Sequence, residues 1–307
     1  MLNYFADLHC DTLWRCYEQR WDLSHPALQV KEHPSFVHLQ NYGIYIPDSV
    51  GDSLAYFKKI YDHGMMLFKA HSQYVHCRNV KQIHEAIAEG KTPYLISIEG
   101  GCLFNEDDSY NRAVAGELKE KGIAFISLCY NKGNILAGGI LSPEKGLSDA
   151  GKRVALLLHE WGISIDISHL NHRSADEMLT LLPDGIVATH SNCFSLVDHP
   201  RNLTDEQIKS IIAKNGLIGL NFYPPFLRGK AANSDDVLSH LEHLERLGGQ
   251  DVIAFGSDFD GMESNPSDLC STEDLPRFYE KLSAKVGERA NKYCFENVMR
   301  YLDCHFK

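Results

Sequence analysis

An α/β chain folded as a single (β/α)8 barrel, a TIM barrel, is what this sequence predicts, and three observations predict it. Short β-rich runs recur, and most are followed by a helical pattern, about eight times in all. The β-rich runs are apolar almost throughout, as strands buried on both faces of a parallel sheet must be. Several of them end in histidine or a carboxylate, and a barrel gathers its strand ends at one mouth.

Strands are expected near Tyr4–His9, His38–Ile46, Tyr94–Glu99, Ala124–Cys129, Ser164–Ser168, Ile186–Thr189, Leu217–Asn221 and Val252–Gly256. Between the second and third of these, Ser53–Tyr74 and Val80–Ala88 read as helices. Asp149–Gly162 sets Val154, Leu157, Leu158 and Trp161 at helical spacing, and Gly162 suits the position just past a helix end. Ser174–Leu182 stops before Pro183, which cannot extend a helix. Thr204–Lys214 opens with a capping box of Thr204 and Gln207, with Leu203 and Ile208 placed as a hydrophobic staple. Asp235–Leu247 closes at Gly248-Gly249, and Glu273–Val286 and Tyr293–Leu302 form a helical tail. Trp21–Val37 is irregular. With no low-complexity linker, residues 1–307 are expected to form one domain.

Composition narrows the partners. The chain has 307 residues, 44% of them hydrophobic, enough for a sizeable core. A formal net charge of −11 argues against nucleic acid and anionic membranes. The nine cysteines are scattered with no C-x-x-C, as in a cytoplasmic protein with reduced thiols. No basic-then-apolar leader precedes the first strand, and no apolar run approaches a membrane span.

The chemistry lies at the strand ends. His9 and Asp11 stand two residues apart, so an extended strand turns both to one face, where they can grip a single first-row cation. Glu99 ends another strand ahead of Gly100-Gly101, His169 and His190 end two more, and Asp258 opens Asp258-Phe259-Asp260-Gly261. Each alone also fits an ordinary role: His169 as a helix cap, His190 as a satisfied core histidine, Asp258 as an acceptor of turn amides, Glu99 as a loop carboxylate. Together they make a buried ring of carboxylates that would repel itself without cations. Three histidines and three carboxylates exceed the needs of one tetrahedral ion. They fit two ions about 3.5–4 Å apart that share a bridging carboxylate, with Asp258 left for proton transfer. The implied chemistry is attack of a metal-bound hydroxide on a carbonyl. Cys10 should face away from its two neighbours by strand alternation, and Cys193 reads as packing. His25, His33, His38, His63, His71, His76 and His84 precede no motif.

These motifs resemble the membrane dipeptidase (renal dipeptidase) family of zinc peptidases, family M19, whose barrel is of the metal-dependent hydrolase type. The resemblance rests on Asp7-Leu8-His9-Cys10-Asp11-Thr12, Ser97-Ile98-Glu99-Gly100-Gly101, Gly146-Leu147-Ser148-Asp149-Ala150-Gly151, Ile165-Asp166-Ile167-Ser168-His169, Thr189-His190-Ser191, Pro200-Arg201-Asn202, Asn221-Phe222-Tyr223 and Gly256-Ser257-Asp258-Phe259-Asp260-Gly261. It implies that His9 and Asp11 hold one zinc, Glu99 bridges, and His169 and His190 hold a second zinc. It further implies that Asp258 meets the substrate's amino end and carries a proton, and that Arg201 pairs with its terminal carboxylate, a bidentate match for guanidinium. Tyr223 is expected at the pocket or in packing. One position departs from the family: renal-type members carry a histidine where this chain has Tyr130, which can donate a hydrogen bond to an oxyanion but carries no positive charge near neutral pH.

The expected activity is hydrolysis of dipeptides. Family members often tolerate a D-residue at the C-terminal position, and some cleave β-lactams. The alternatives are a metal-dependent amide or lactam hydrolase on the same barrel, or a non-catalytic small-molecule-binding descendant. Pocket walls are expected from the loops Cys102–Asn111, Gly133–Leu147 and Asn221–Ala231. The resemblance is compatible with a homodimer.

Overall fold

The computed structural model describes residues 4–31, 36–47, 49–229 and 231–307. Its strands are β1 (Phe5–Cys10), β2 (Val37–Tyr45), β3 (Tyr74–His76), β4 (Thr92–Glu99), β5 (Ile123–Ser127), β6 (Ser164–Asp166), β7 (Ile186–Ala188), β8 (Leu217–Leu220) and β9 (Ile253–Phe255). All pair in parallel, running β2-β1-β9-β8-β7-β6-β5-β4. β4 then returns to β2, from Gln40 opposite Tyr94 to Tyr45 opposite Glu99. That pairing closes a ring of eight strands, the expected (β/α)8 barrel. Among the described residues β3 pairs only with β4, at its N-terminal end.

Ile165, Ile186, Val187, Ile218 and Ile253 are fully buried, which is why these strands read as unbroken apolar runs. The barrel interior nevertheless carries polar groups beneath its mouth. Asn41 on β2 donates to the Leu8 carbonyl at 2.6 Å and to Ser97 Oγ at 2.9 Å, lacing β1, β2 and β4 together. No helix among the described residues is long and apolar enough to cross a membrane.

Helix ends follow the capping chemistry of the sequence. Asp205–Ala213 opens with both halves of the Thr204–Gln207 capping box. Asp149–Glu160 begins at Ser148, whose hydroxyl accepts the Gly151 amide, and Gly162 takes the left-handed φ of 67° just beyond its end. Ser234–Arg246 starts from Asn233.

Four expectations need correction. The helix from Ser53 ends at Lys69, and Tyr74 opens β3 instead. His172–Leu181 starts two residues before the expected Ser174, because Asn171 accepts the Ser174 amide as its cap; His169 is left free of that role. Thr12–Gln19 and Asp108–Glu120 are helices that the apolar spacing did not announce. In the tail, Leu275–Val286 is helical as expected, but the expected Tyr293–Leu302 is a short π-helical stretch, Lys292–Glu296, running into Asn297–His305. Of the irregular Trp21–Val37, residues 32–35, including His33, lie outside the described residues.

Candidate metal centre

The C-terminal ends of β1, β4, β6, β7 and β9 bring the expected groups to one place. The end of β1 is tied to the loop after β9: the Asp11 amide donates to the Phe259 carbonyl at 2.9 Å, and the Asp258 amide to the His9 carbonyl at 3.0 Å. His9 Nε2 then lies 3.5 Å from Asp11 Oδ2, 3.9 Å from Asp258 Oδ1 and 4.0 Å from Glu99 Oε1. Glu99 Oε1 lies 3.6 Å from His190 Nε2 and also contacts His169 Nε2. The Nε2 atoms of His169 and His190 face each other at 3.0 Å. Among the described residues two metal-capable groups result: His9 with Glu99 and His190, and His9 with Asp11 and Asp258.

Two glycines make this crowding possible. A Cβ at Gly43 of β2 would stand 2.7 Å from His9 Cε1, so the imidazole ring lies where a side chain would be. A Cβ at Gly261 would stand 2.1 Å from Asp11 Oδ2. The turn after β9 is also unusual. Asp258 and Asp260 adopt left-handed φ values of 64° and 66°, uncommon for residues with a side chain. Asp260 is anchored there by the Thr12 hydroxyl at 2.6 Å and the Gln29 amide at 2.7 Å.

Electrostatics point to a site built for positive charge. Burial acts to depress the His9 imidazole, but Asp11, then Glu99 and Asp258, outweigh it and drive it up to about 10. Burial raises Glu99, against the pull of His9 and Arg201. Burial also lifts Asp258 to about 7, helped by Asp11 and Glu99 and opposed by His9. His169 and His190 are held well below the usual imidazole range by burial, and then by the charges of Arg201 and His9. His9 Nε2 and Asp11 Oδ1 are buried without a hydrogen-bond partner. A buried imidazole nitrogen and a buried carboxylate oxygen without partners, converging with further imidazole and carboxylate groups, suit zinc or a similar ion in place of a proton.

Above these groups opens a cavity of about 380 Å³. Asp11, Glu99, Tyr130, His169, Arg201, Tyr223 and Asp258 all line it, while His9 and His190 are packed beneath, their rings stacked at 3.9 Å. Arg201 is only 4% exposed, with Nη2 3.1 Å from His169 Nε2 and Nη1 unpartnered. Its loop is fixed by Asn202, whose amide group donates to the Val197 and Phe226 carbonyls. Tyr130 stacks on His169 at 4.5 Å and packs at a tilt against Tyr45 at 4.6 Å. The Cys10 sulfur meets Gln40, Asn41 and Thr12, away from the ligand face.

Two polar groups beside the ligands had no role assigned from the sequence. Asn131 accepts from His169 Nδ1 at 2.9 Å, and Asn221 donates to Asp258 Oδ2 at 3.0 Å. Both stand just beyond strand ends, so the strand-end rule that found the ligands could have found them. Asn131 lines the cavity, as do Trp14, Tyr45 and His199, which gave no signal, and Phe226, which lies in an expected wall loop. Of the three expected wall loops, Gly133–Leu147 contributes Ile140 and Asn221–Ala231 contributes Tyr223 and Phe226, but Cys102–Asn111 contributes nothing, because its end enters the helix Asp108–Glu120. A larger groove of about 690 Å³ lies between Lys119, Trp161 and Arg300, away from both metal-capable groups.

Residues 3–304 match the membrane dipeptidase family, peptidase family M19. The chain belongs to this family. An uncharacterized dipeptidase of Schizosaccharomyces pombe is 30% identical over 212 residues, 66% of this chain and 49% of that protein. A Klebsiella pneumoniae protein encoded in the pqqA 5′ region is 31% identical over 195 residues, 59% of this chain and 72% of that one. The chain thus spans about half the length of the yeast relative. Among solved structures, a dipeptidase of family M19 superposes with a TM-score of 0.90 at 24% identity, covering 100% of this chain and 99% of its own. A Rhodobacter sphaeroides metallopeptidase, liganded with a phosphinate mimic of L-Ala-D-Ala, superposes with a TM-score of 0.85 at 23% identity, covering 99% and 100%. At these identities the likeness establishes the fold of an M19 chain.

Proposed function

We propose that this M19 chain is a binuclear zinc dipeptidase. The observation that carries the reading is the convergence of His9, Asp11, Glu99 and His190, with His169 against Glu99 and His190, and with His9 Nε2 and Asp11 Oδ1 buried and unpartnered. His9 and Asp11 would hold one ion, His169 and His190 the other, and Glu99 both. When bound, the ions supply Lewis acidity, which lowers the pKa of a water and polarises the scissile carbonyl.

The remaining work falls to the chain's own groups. Arg201 takes the terminal carboxylate of the dipeptide through its free Nη1 edge, and fixes where the scissile bond lies. Asp258 holds the amino end and moves a proton to the leaving amine. Asn221 occupies its Oδ2, which leaves Oδ1 to face the substrate and His9. The Tyr130 hydroxyl donates to the oxyanion. Trp14, Tyr45, Tyr223 and Phe226 shield the cavity from water. Acceptance of a D-residue at the C-terminal position is part of the proposal, and the dipeptide mimic held by the Rhodobacter neighbour supports it.

The test is elemental analysis of the purified protein followed by a substrate panel. The panel sets dipeptides with L- and D-residues at the second position against cyclic amides and β-lactams. Two zinc ions per chain and dipeptide cleavage, lost on chelation and restored by zinc, are expected. Preference for a cyclic amide or lactam would shift the assignment to another amide hydrolase. Zinc-free protein of unchanged activity would overturn it.

A further inference from the structure

Beneath the metal-capable groups lies a second buried carboxylate that the mechanism above does not use. Asp166 sits on β6, three residues before His169, and is 5% exposed. Its Oδ1 accepts from the Ser168 amide at 3.0 Å, the Ser168 hydroxyl at 2.6 Å and the Thr189 amide at 3.1 Å. Its Oδ2 accepts from the Thr189 hydroxyl at 2.5 Å. Four donors converge on one carboxylate, two of them amides that can do nothing but donate.

The two hydroxyls then act on His190. Ser168 Oγ, having given its proton to Asp166, accepts the His190 amide at 3.2 Å. Thr189 Oγ1, its proton likewise directed to Asp166, lies 2.8 Å from His190 Nδ1. A hydroxyl whose one proton is committed can only accept in its other bond, so Nδ1 must carry the imidazole hydrogen. Nε2 is thereby left with a bare lone pair, pointing at Glu99 Oε1 3.6 Å away and His169 Nε2 3.0 Å away. Thr189 and His190 are both fully buried, so no solvent competes for these bonds.

We propose that Asp166 is the positioning residue for His190: through Thr189 it sets the ring tautomer, and through Ser168 it holds the backbone that carries the ring. The inference rests on the reading of His190 as a zinc ligand. It assigns to Asp166 and Thr189 the task that Asn131 performs for His169, whose Nδ1 it accepts. Groups that orient a ligating imidazole in this way typically change metal affinity about 10–100-fold when removed.

The test uses Asp166→Asn, Thr189→Val and Thr189→Ser in the full chain. The first readout is the ¹⁵N spectrum of the His190 imidazole in metal-stripped protein. Wild type and Thr189→Ser should show the proton on Nδ1. Asp166→Asn frees the Thr189 hydroxyl to donate towards the ring, and should move the imidazole proton to Nε2. The second readout is zinc affinity by competition with a chromophoric chelator. Asp166→Asn and Thr189→Val should bind zinc about 10–100-fold more weakly, and Thr189→Ser close to wild type. Because Asp166 also bonds three other groups, the valine–serine pair keeps the test decisive if the asparagine variant folds poorly. Unchanged tautomer and affinity in Thr189→Val would overturn the proposal. A tautomer that responds as described in a wild-type chain without zinc affinity would uphold the positioning role and overturn the zinc reading.

Discussion

At the scale of single residues, Asp258 is where several constraints meet. Its backbone is in the left-handed region, one carboxylate oxygen is held by Asn221, and burial lifts it to about 7. A carboxyl held with one oxygen free towards the substrate is placed to carry a proton. Asp258→Asn should therefore lower turnover by about 10²–10⁴-fold, while zinc content measured by elemental analysis stays unchanged. Wild-type turnover in that variant would remove Asp258 from the proton path. Arg201 acts on binding instead. Arg201→Ala should mainly raise the Michaelis constant for dipeptides with a free carboxylate, and leave an amidated dipeptide nearly unaffected. An equal loss on both substrates would assign Arg201 to the metal groups it adjoins, since Nη2 is 3.1 Å from His169 Nε2.

At the scale of elements, what positions the site is a set of clasps between loops. His240, on the helix Ser234–Arg246, is 1% exposed and joins two of the mouth loops. Its Nδ1 accepts the Cys193 amide at 3.1 Å, and Nε2–H donates to the Leu227 carbonyl at 3.3 Å. The bond from the Cys193 amide requires the neutral ring, and burial pushes His240 down to about 4, against the Leu227 carbonyl, which favours the charged form. The unfolded chain, with an ordinary imidazole near 6.5, binds this proton first as pH falls. The contribution is complete above about pH 6.5 and declines towards about pH 4, by roughly 3 kcal/mol at most. Urea midpoints measured at about pH 7 and pH 5 should fall more steeply for wild type than for His240→Gln. Parallel slopes would show that His240 takes up its proton in the folded chain as readily as in the unfolded one.

Elements also divide what the sequence disclosed from what it hid. The metal-capable residues could be read because a barrel sends every strand end to one rim, so distance along the chain ceases to matter. The Thr204 cap could be read because its chemistry is local. Asp108–Glu120 could not, since its buried face is only Asn111, Val114, Ala115 and Leu118, too sparse and partly polar to mark a period. β3 spans three residues, below any useful periodicity. Trp14 and Tyr45 reach the cavity through the direction taken by a helix and a strand after the first ligands, a tertiary matter with no sequence pattern of its own.

At the scale of the whole molecule, the same ring closure that stabilises the fold also assembles the donors. β1 and β9 are neighbours, as are β2 and β4, so His9, Gly43, Glu99 and Asp258 keep their spacing only while the ring is intact. A ligand that binds this assembled set and not the unfolded chain must stabilise the barrel by linkage, about 2.7 kcal/mol when present at 100 times its dissociation constant. Zinc added to metal-stripped protein should raise the melting temperature by several degrees, and a chelator should reverse it. An indifferent melting temperature would contradict the metal assignment on thermodynamic grounds alone, without reference to turnover.

The chain has three tryptophans, and they stand in three different settings. Trp21 stacks on His25 at 3.8 Å, Trp161 borders the distant groove, and Trp14 alone of the three borders the 380 Å³ cavity. An occupant of that cavity would alter the surroundings of one indole and spare the other two. The protein therefore carries a built-in fluorophore for its own occupancy, and Trp14→Phe would silence that signal while leaving the background emission in place.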